Sequence, residues 1–187
     1  MGLMGLTSNV NKFSAWDFVT FGSGGVSVGY VAVEGGQMIL KSPAGKDVTF
    51  IYGGAGAGLS VGLKIPKLGK IQIPTPKGPL TGSGGPMAFP STGKVLAADN
   101  LPGGDLSESD ISGLCMFAEV AGGIIGGGSG TAMFIGLNPI YLSALVGLPS
   151  FGAQLLLNTA RGMILMAGLN VGTQAQIGGA VYLGYLG

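Results

Sequence analysis

The feature that most restricts the fold is a series of short β-rich runs set apart by glycine. WDFVTFG, GVSVGYVAV, GQMILKS, DVTFIYG and GLSVGLKIP follow one another between residues 16 and 66. Gly pairs or the turn sequence SPAGK separate them, which predicts consecutive hairpins in place of helices. In Val26-Ser27-Val28-Gly29-Tyr30 and again in Leu59-Ser60-Val61-Gly62-Leu63 every second residue is small or polar. Each strand therefore has one apolar face and one thin face. DFVTFGSGGVSVG and DVTFIYGGAGAGLSVG also align as two copies of one unit about 33 residues apart, as a duplicated hairpin would.

Glycine supplies 39 of 187 residues and charged residues only 9%, against about 7% and about 25% in an average soluble chain. There is no G-X-Y period, and 47% hydrophobic residues are too many for a disordered chain. The expectation is a single domain over residues 1–187: mainly antiparallel β, a barrel or sandwich of Gly-rich hairpins with one or two short helices. A Pro/Lys-rich loop at about 64–102 separates two halves, because proline removes ladder donors. NLPGGDLSESDISGL predicts a helix start capped by Asp105 or Ser107. NPIYLSALVGLP, bounded by Pro139 and Pro149, predicts a second helix. FGAQLLLNTARGMILMAG reads equally as helix or buried strand.

Charge is segregated. Lys64, Lys67, Lys70, Lys77 and Lys94 occupy a stretch without acids, Asp99 to Glu119 hold five acids without a base, and the last 68 residues carry only Arg161. So bare a segment predicts burial in a core, a subunit interface or lipid. Glycine clusters, Asn138, Pro139 and Pro149 interrupt it, so it offers no clean transmembrane helix. Lys64, Lys67, Lys70 and Lys77 alternate with apolar residues and prolines, a pattern suited to an anionic membrane surface. The N-terminus shows no secretory signal, and the expected location is membrane-associated or secreted.

Gly25-Val26-Ser27-Val28-Gly29 and Gly58-Leu59-Ser60-Val61-Gly62 match the G-x-S-x-G nucleophile elbow. The chain has no histidine, and both serines are followed by strand-like sequence where an elbow needs a helix. Gly54-Ala55-Gly56-Ala57-Gly58 and PSTGK fail the dinucleotide and phosphate-loop patterns. One cysteine, Cys115, in an apolar run, reads as a buried structural thiol. No metal or cofactor is expected, and Asp105, Glu108 and Asp110 are expected to be solvated. GGIIGGGSGTAMFI resembles the Gly-rich strands of SYLF-type lipid-binding domains over about 14 residues, and no residue role follows from it.

These readings converge on a non-enzymatic protein that binds a lipid, a membrane surface or another apolar partner, is homo-oligomeric and does not bind nucleic acid. The alternative is a self-assembling structural or secreted interaction protein whose apolar C-terminal third is an oligomer interface.

Overall fold

A computed structural model describes residues 10–28, 31–59, 91–122, 128–147, 149–169 and 178–187. Nine strands run in chain order: β1 (Val10–Phe13), β2 (Asp17–Val28), β3 (Val31–Lys41), β4 (Asp47–Leu59), β5 (Ser91–Ala98), β6 (Gly113–Gly122), β7 (Gly128–Ile135), β8 (Gly162–Leu169) and β9 (Gly178–Leu186). They form one antiparallel sheet of order β1-β5-β8-β7-β6-β9-β4-β3-β2, curled into a half-barrel. The expected antiparallel β architecture is present. The five strands that follow residues 60–90 lie together in it, between β1 on one side and β4-β3-β2 on the other, since β1 pairs with β5 and β4 with β9.

The glycine clusters sit elsewhere than the hairpin reading put them. DFVTFGSGGVSV is the single strand β2, VAVEGGQMILK is β3 and DVTFIYGGAGAGL is β4. The two aligned copies are therefore single strands that flank β3 on either side. Glycine here thins a strand without ending it. Only SPAGK, between β3 and β4, turns as expected, with the Ser42 amide donating to the Lys46 carbonyl.

The reason for the thinning lies in the barrel interior. One row across the sheet reads Val95, Ile164, Met133, Phe117, Tyr182, Gly56, and all but the glycine are buried. The rings of Phe117 and Tyr182 stack with centroids 4.7 Å apart, Tyr52 meets Phe117 edge-on, and Phe21 stacks on Tyr52. A Cβ on Gly56 would fall 2.9 Å from the Tyr182 ring and 2.1 Å from the Val181 carbonyl oxygen. The ring fills the space that a side chain would need, as aromatic residues do over glycines in curved sheets.

At the seam, β1 and β2 act as one bent strand. β1 is bonded to β5, the Ser14 amide donates to the Val95 carbonyl, and β2 then leaves to pair with β3. The Phe18 ring lies over Gly93 of β5, closer than any Cβ there could tolerate, which brings the two sheet edges together.

Three helices complete the fold: α1 (Glu108–Ile111), α2 (Leu142–Gly147) and α3 (Pro149–Asn158), with a 3-10 turn over Pro139–Tyr141. Ser107 caps α1 in a full capping box with Asp110. Asn138 caps the 3-10 turn, with Pro139 in its first positions. The segment that read as helix or strand is both: α3, then β8. The Pro/Lys excursion ends by Ser91, where β5 begins and takes Lys94 with it. The rest of that excursion, with its expected edge strand around KIQIP, lies outside the described residues. No helix among the described residues is long and apolar enough to cross a membrane.

Candidate functional site

Antiparallel pairing sorts the charges along the half-barrel. At one end lie the starts of β2, β4, β6 and β8 and the ends of β3, β5, β7 and β9, joined by turns and α1. Lys12, Asp17, Lys41, Lys46, Asp47, Asp99, Asp105, Glu108, Asp110 and Arg161 all belong to this end, with Asp17 beside Lys41 and Lys41 beside Asp47 in register. Among the described residues, the remaining wall carries only Glu34, Lys94 and Glu119. Leu59 and Ser91, which flank the lysine segment, stand at the opposite rim. Lys64, Lys67, Lys70 and Lys77 themselves lie outside the described residues.

The outer wall between the two ends is apolar except for Lys94. Opposite the buried row runs Lys94, Leu165, Ala132, Ala118, Val181, Ala57, with Leu165 41% and Val181 38% exposed. Both faces of β8 and β9 are thus apolar, one in the core and one on the surface. This accounts for the nearly uncharged last third of the sequence.

Two carboxylates organise the charged end, and neither is the solvated group expected from the sequence. Asp105 accepts from the Ser14 hydroxyl at 2.6 Å, the Ala15 amide at 2.7 Å and the Leu106 amide at 2.8 Å. The Trp16 indole donates to the Leu106 carbonyl at 2.8 Å. These bonds fasten the bend between β1 and β2 to the loop before α1. Asp110 accepts from the Ser107 amide and hydroxyl and pairs with the Arg161 guanidinium.

Partial burial pushes both carboxyls up, but the bonds outweigh it. Ser14, Ala15 and Leu106 with Lys12 for Asp105, and Ser107 with Arg161 for Asp110, hold them below the ordinary value of 3.8. A lowered carboxyl contributes stability that is fully present above its unfolded value and is lost as pH falls through the folded one. Urea unfolding is therefore expected to show a midpoint that is level down to about pH 4 and falls below it. Asp105→Asn should flatten part of that fall, and an unchanged acid limb would separate Asp105 from the seam.

Beside the Asp110–Arg161 pair opens a cavity of about 360 Å³, lined by Ser109, Ser112, Leu114, Leu137, Arg161 and Tyr185 among others. The chain reverses at Gly136 with φ +65°, and a Cβ there would strike the Asp110 carbonyl and the Arg161 side chain. Glycine both makes that turn and leaves the cavity open. Fifty-one residues separate Asp110 from Arg161, so no sequence spacing signals the pair. The isolation of Arg161 in an uncharged third was the one available sign.

The elbow serines are not placed as nucleophiles. Ser27 stands inside β2 opposite Ala32 of β3, with no helix behind it, and Ser60 lies outside the described residues. Cys115 is buried, and burial pushes its thiol up to about 12, so at neutral pH it is protonated and unreactive. No group of three metal-ligating side chains occurs among the described residues.

The chain is similar to the toxin protein Tse4 of Pseudomonas aeruginosa, with 45% identity over 183 residues that cover 92% of this chain and 93% of that one. No family model matches the chain, and no solved structure matches it. The kinship with a toxin overturns the expectation, built on the missing histidine and the failed elbow, that the protein is not an enzyme. Lack of one catalytic constellation excludes only that constellation.

Proposed function

From the premise that the chain belongs to the family of the Tse4 toxin, we propose that it is itself a toxin and that it acts at the membrane of the cell it attacks. The observation that carries this reading is the partition of charge along the half-barrel. One end holds ten charged residues, the wall is apolar on its outer face except for Lys94, and the opposite rim leads into a segment with four lysines and no acid. Lysines draw such a rim to anionic headgroups. The apolar wall, built from strands of 8 to 13 residues, matches the length of about 9–11 residues with which a tilted strand crosses a bilayer.

Flotation with phosphatidylglycerol vesicles tests the reading. The protein is expected to float with them at low salt and to release a trapped dye. Changing Lys64, Lys67 and Lys70 together to Ser should weaken binding on the order of a hundredfold, since each basic residue near the surface contributes about 1 kcal/mol. Failure to float, together with a stable symmetric oligomer in buffer, would replace membrane action by self-assembly.

A further inference from the structure

We propose that the cavity at the charged end is a binding site for a small oxyanion of the phosphate or carboxylate class, with Arg161 as its anchor. This goes beyond membrane action, which involves the opposite rim and the wall.

Three observations point there. First, the Asp110 carboxylate is occupied: one oxygen meets Arg161 and the other takes the Ser107 amide and hydroxyl. Its charge is balanced by Arg161, so the pair is net neutral and recruits an anion through its free N–H donors. Second, Arg161 is not occupied to the same degree. Only Nη1 is bonded, and the side chain is still 52% exposed. A guanidinium presents five N–H donors in a planar fork, so one edge is left for a second planar or tetrahedral anion. Third, Ser112 and Tyr185, each carrying a hydroxyl that can donate to an anion, line the same cavity. The guanidinium and two hydroxyl-bearing residues thus border one space beside the Asp110–Arg161 pair.

The volume, about 360 Å³, lies at the small end of the range of about 300–1,000 Å³ for ligand sites. It suits inorganic phosphate or a phosphate ester. Leu114 and Leu137 form the apolar part of the lining.

Amide NMR of the full chain, titrated with sodium phosphate at constant ionic strength and with sodium chloride as control, tests the assignment. Saturable shifts are expected at residues 109–114, 136–137, 161 and 185, with phosphate and not with chloride. Tyr185→Phe removes one hydroxyl and should weaken phosphate binding about fivefold without altering the remaining spectrum. Arg161→Lys keeps the charge but loses the fork, and should weaken binding roughly tenfold.

Shifts confined to Lys12, Lys41 and Lys46, or affinities that both variants leave unchanged, would overturn the site. A further arm identifies the source of the anion. If excess phosphate or Tyr185→Phe releases the protein from phosphatidylglycerol vesicles, the oxyanion is a lipid headgroup. If phosphate binds and vesicle binding is indifferent to both, the oxyanion is a free solute. Because phosphate binding is read without vesicles, failure of the membrane reading leaves this site standing, and the reverse also holds.

Discussion

Gly184→Ala, the addition of one methyl group, is expected to lower the melting temperature by roughly 6–12 °C. Gly184 of β9 faces Gly54 of β4 and Cys115 of β6 in register. A Cβ there would lie 2.1 Å from the Gly53 carbonyl oxygen and 2.7 Å from the Gly54 Cα. Both are backbone atoms of a paired strand, so no side chain can swing aside. The β4–β9 ladder must part or slide, at about 3 kcal/mol, the upper part of the usual overpacking range, and about 2–4 °C is lost per kcal/mol in a domain of this size. Gly130→Ala serves as the control. Gly130 also stands in a strand, β7, but a Cβ on it meets nothing within 4 Å, and its effect should stay within about 0.5 kcal/mol. Equal melting temperatures for the two variants would refute the reading of these glycines as sites of backbone contact.

Leu165→Arg is expected to leave folding intact and to cut vesicle leakage roughly a hundredfold. Leu165 is 41% exposed between Lys94 and Ala132 in the outer row, so in water the change costs at most about 1 kcal/mol, repulsion from Lys94 included. In a bilayer an arginine on the lipid-facing side of a strand costs about 2–4 kcal/mol near the midplane, and about 1.4 kcal/mol corresponds to a factor of ten. Ile140→Arg is the matched control. Ile140 is a still more exposed apolar residue, at 71%, but it sits in the 3-10 turn at the charged end, away from the wall. If both variants leak alike, exposure of apolar surface matters and the wall does not. If only Leu165→Arg fails, the wall meets lipid.

Much of the fold is legible in the chain because strands announce themselves locally. The β-rich runs DFVTF and DVTFIY, the turn SPAGK, the Ser107 cap and the Asn138-Pro139 start depend on residues within a few positions of one another, and each appears where the sequence puts it. The glycine clusters were legible as unusual but not as strand interiors. Whether Gly-Gly ends a strand or thins it depends on what lies across the sheet, here the rings of Phe117 and Tyr182 from β6 and β9, far along the chain. The ambiguous run from 151 to 168 shows the same limit. Its apolar residues suit either state, and the division falls at Thr159 to Arg161, where the Arg161 amide donates to the Ile135 carbonyl and the Arg161 carbonyl accepts from the Ala98 amide.

The candidate site was the least legible part. Asp105 and Asp110 looked solvated because their partners are remote in sequence. Ser14 and Ala15 lie about ninety residues before Asp105, and Arg161 lies 51 residues after Asp110. The serine motifs drew attention because their spacing is short and familiar, while the cavity by Arg161 uses residues from four separated segments.

By itself the sequence determined that this chain is mainly antiparallel β and that its charges fall in blocks. Those properties follow from side-chain alternation and composition, which neighbouring residues settle among themselves. Only the tertiary structure decided which glycines must be bare, which carboxylates are fastened and at which end of the half-barrel each block of charge lies. Those outcomes depend on contacts between strands far apart in the chain, and curling the sheet is what brings them together.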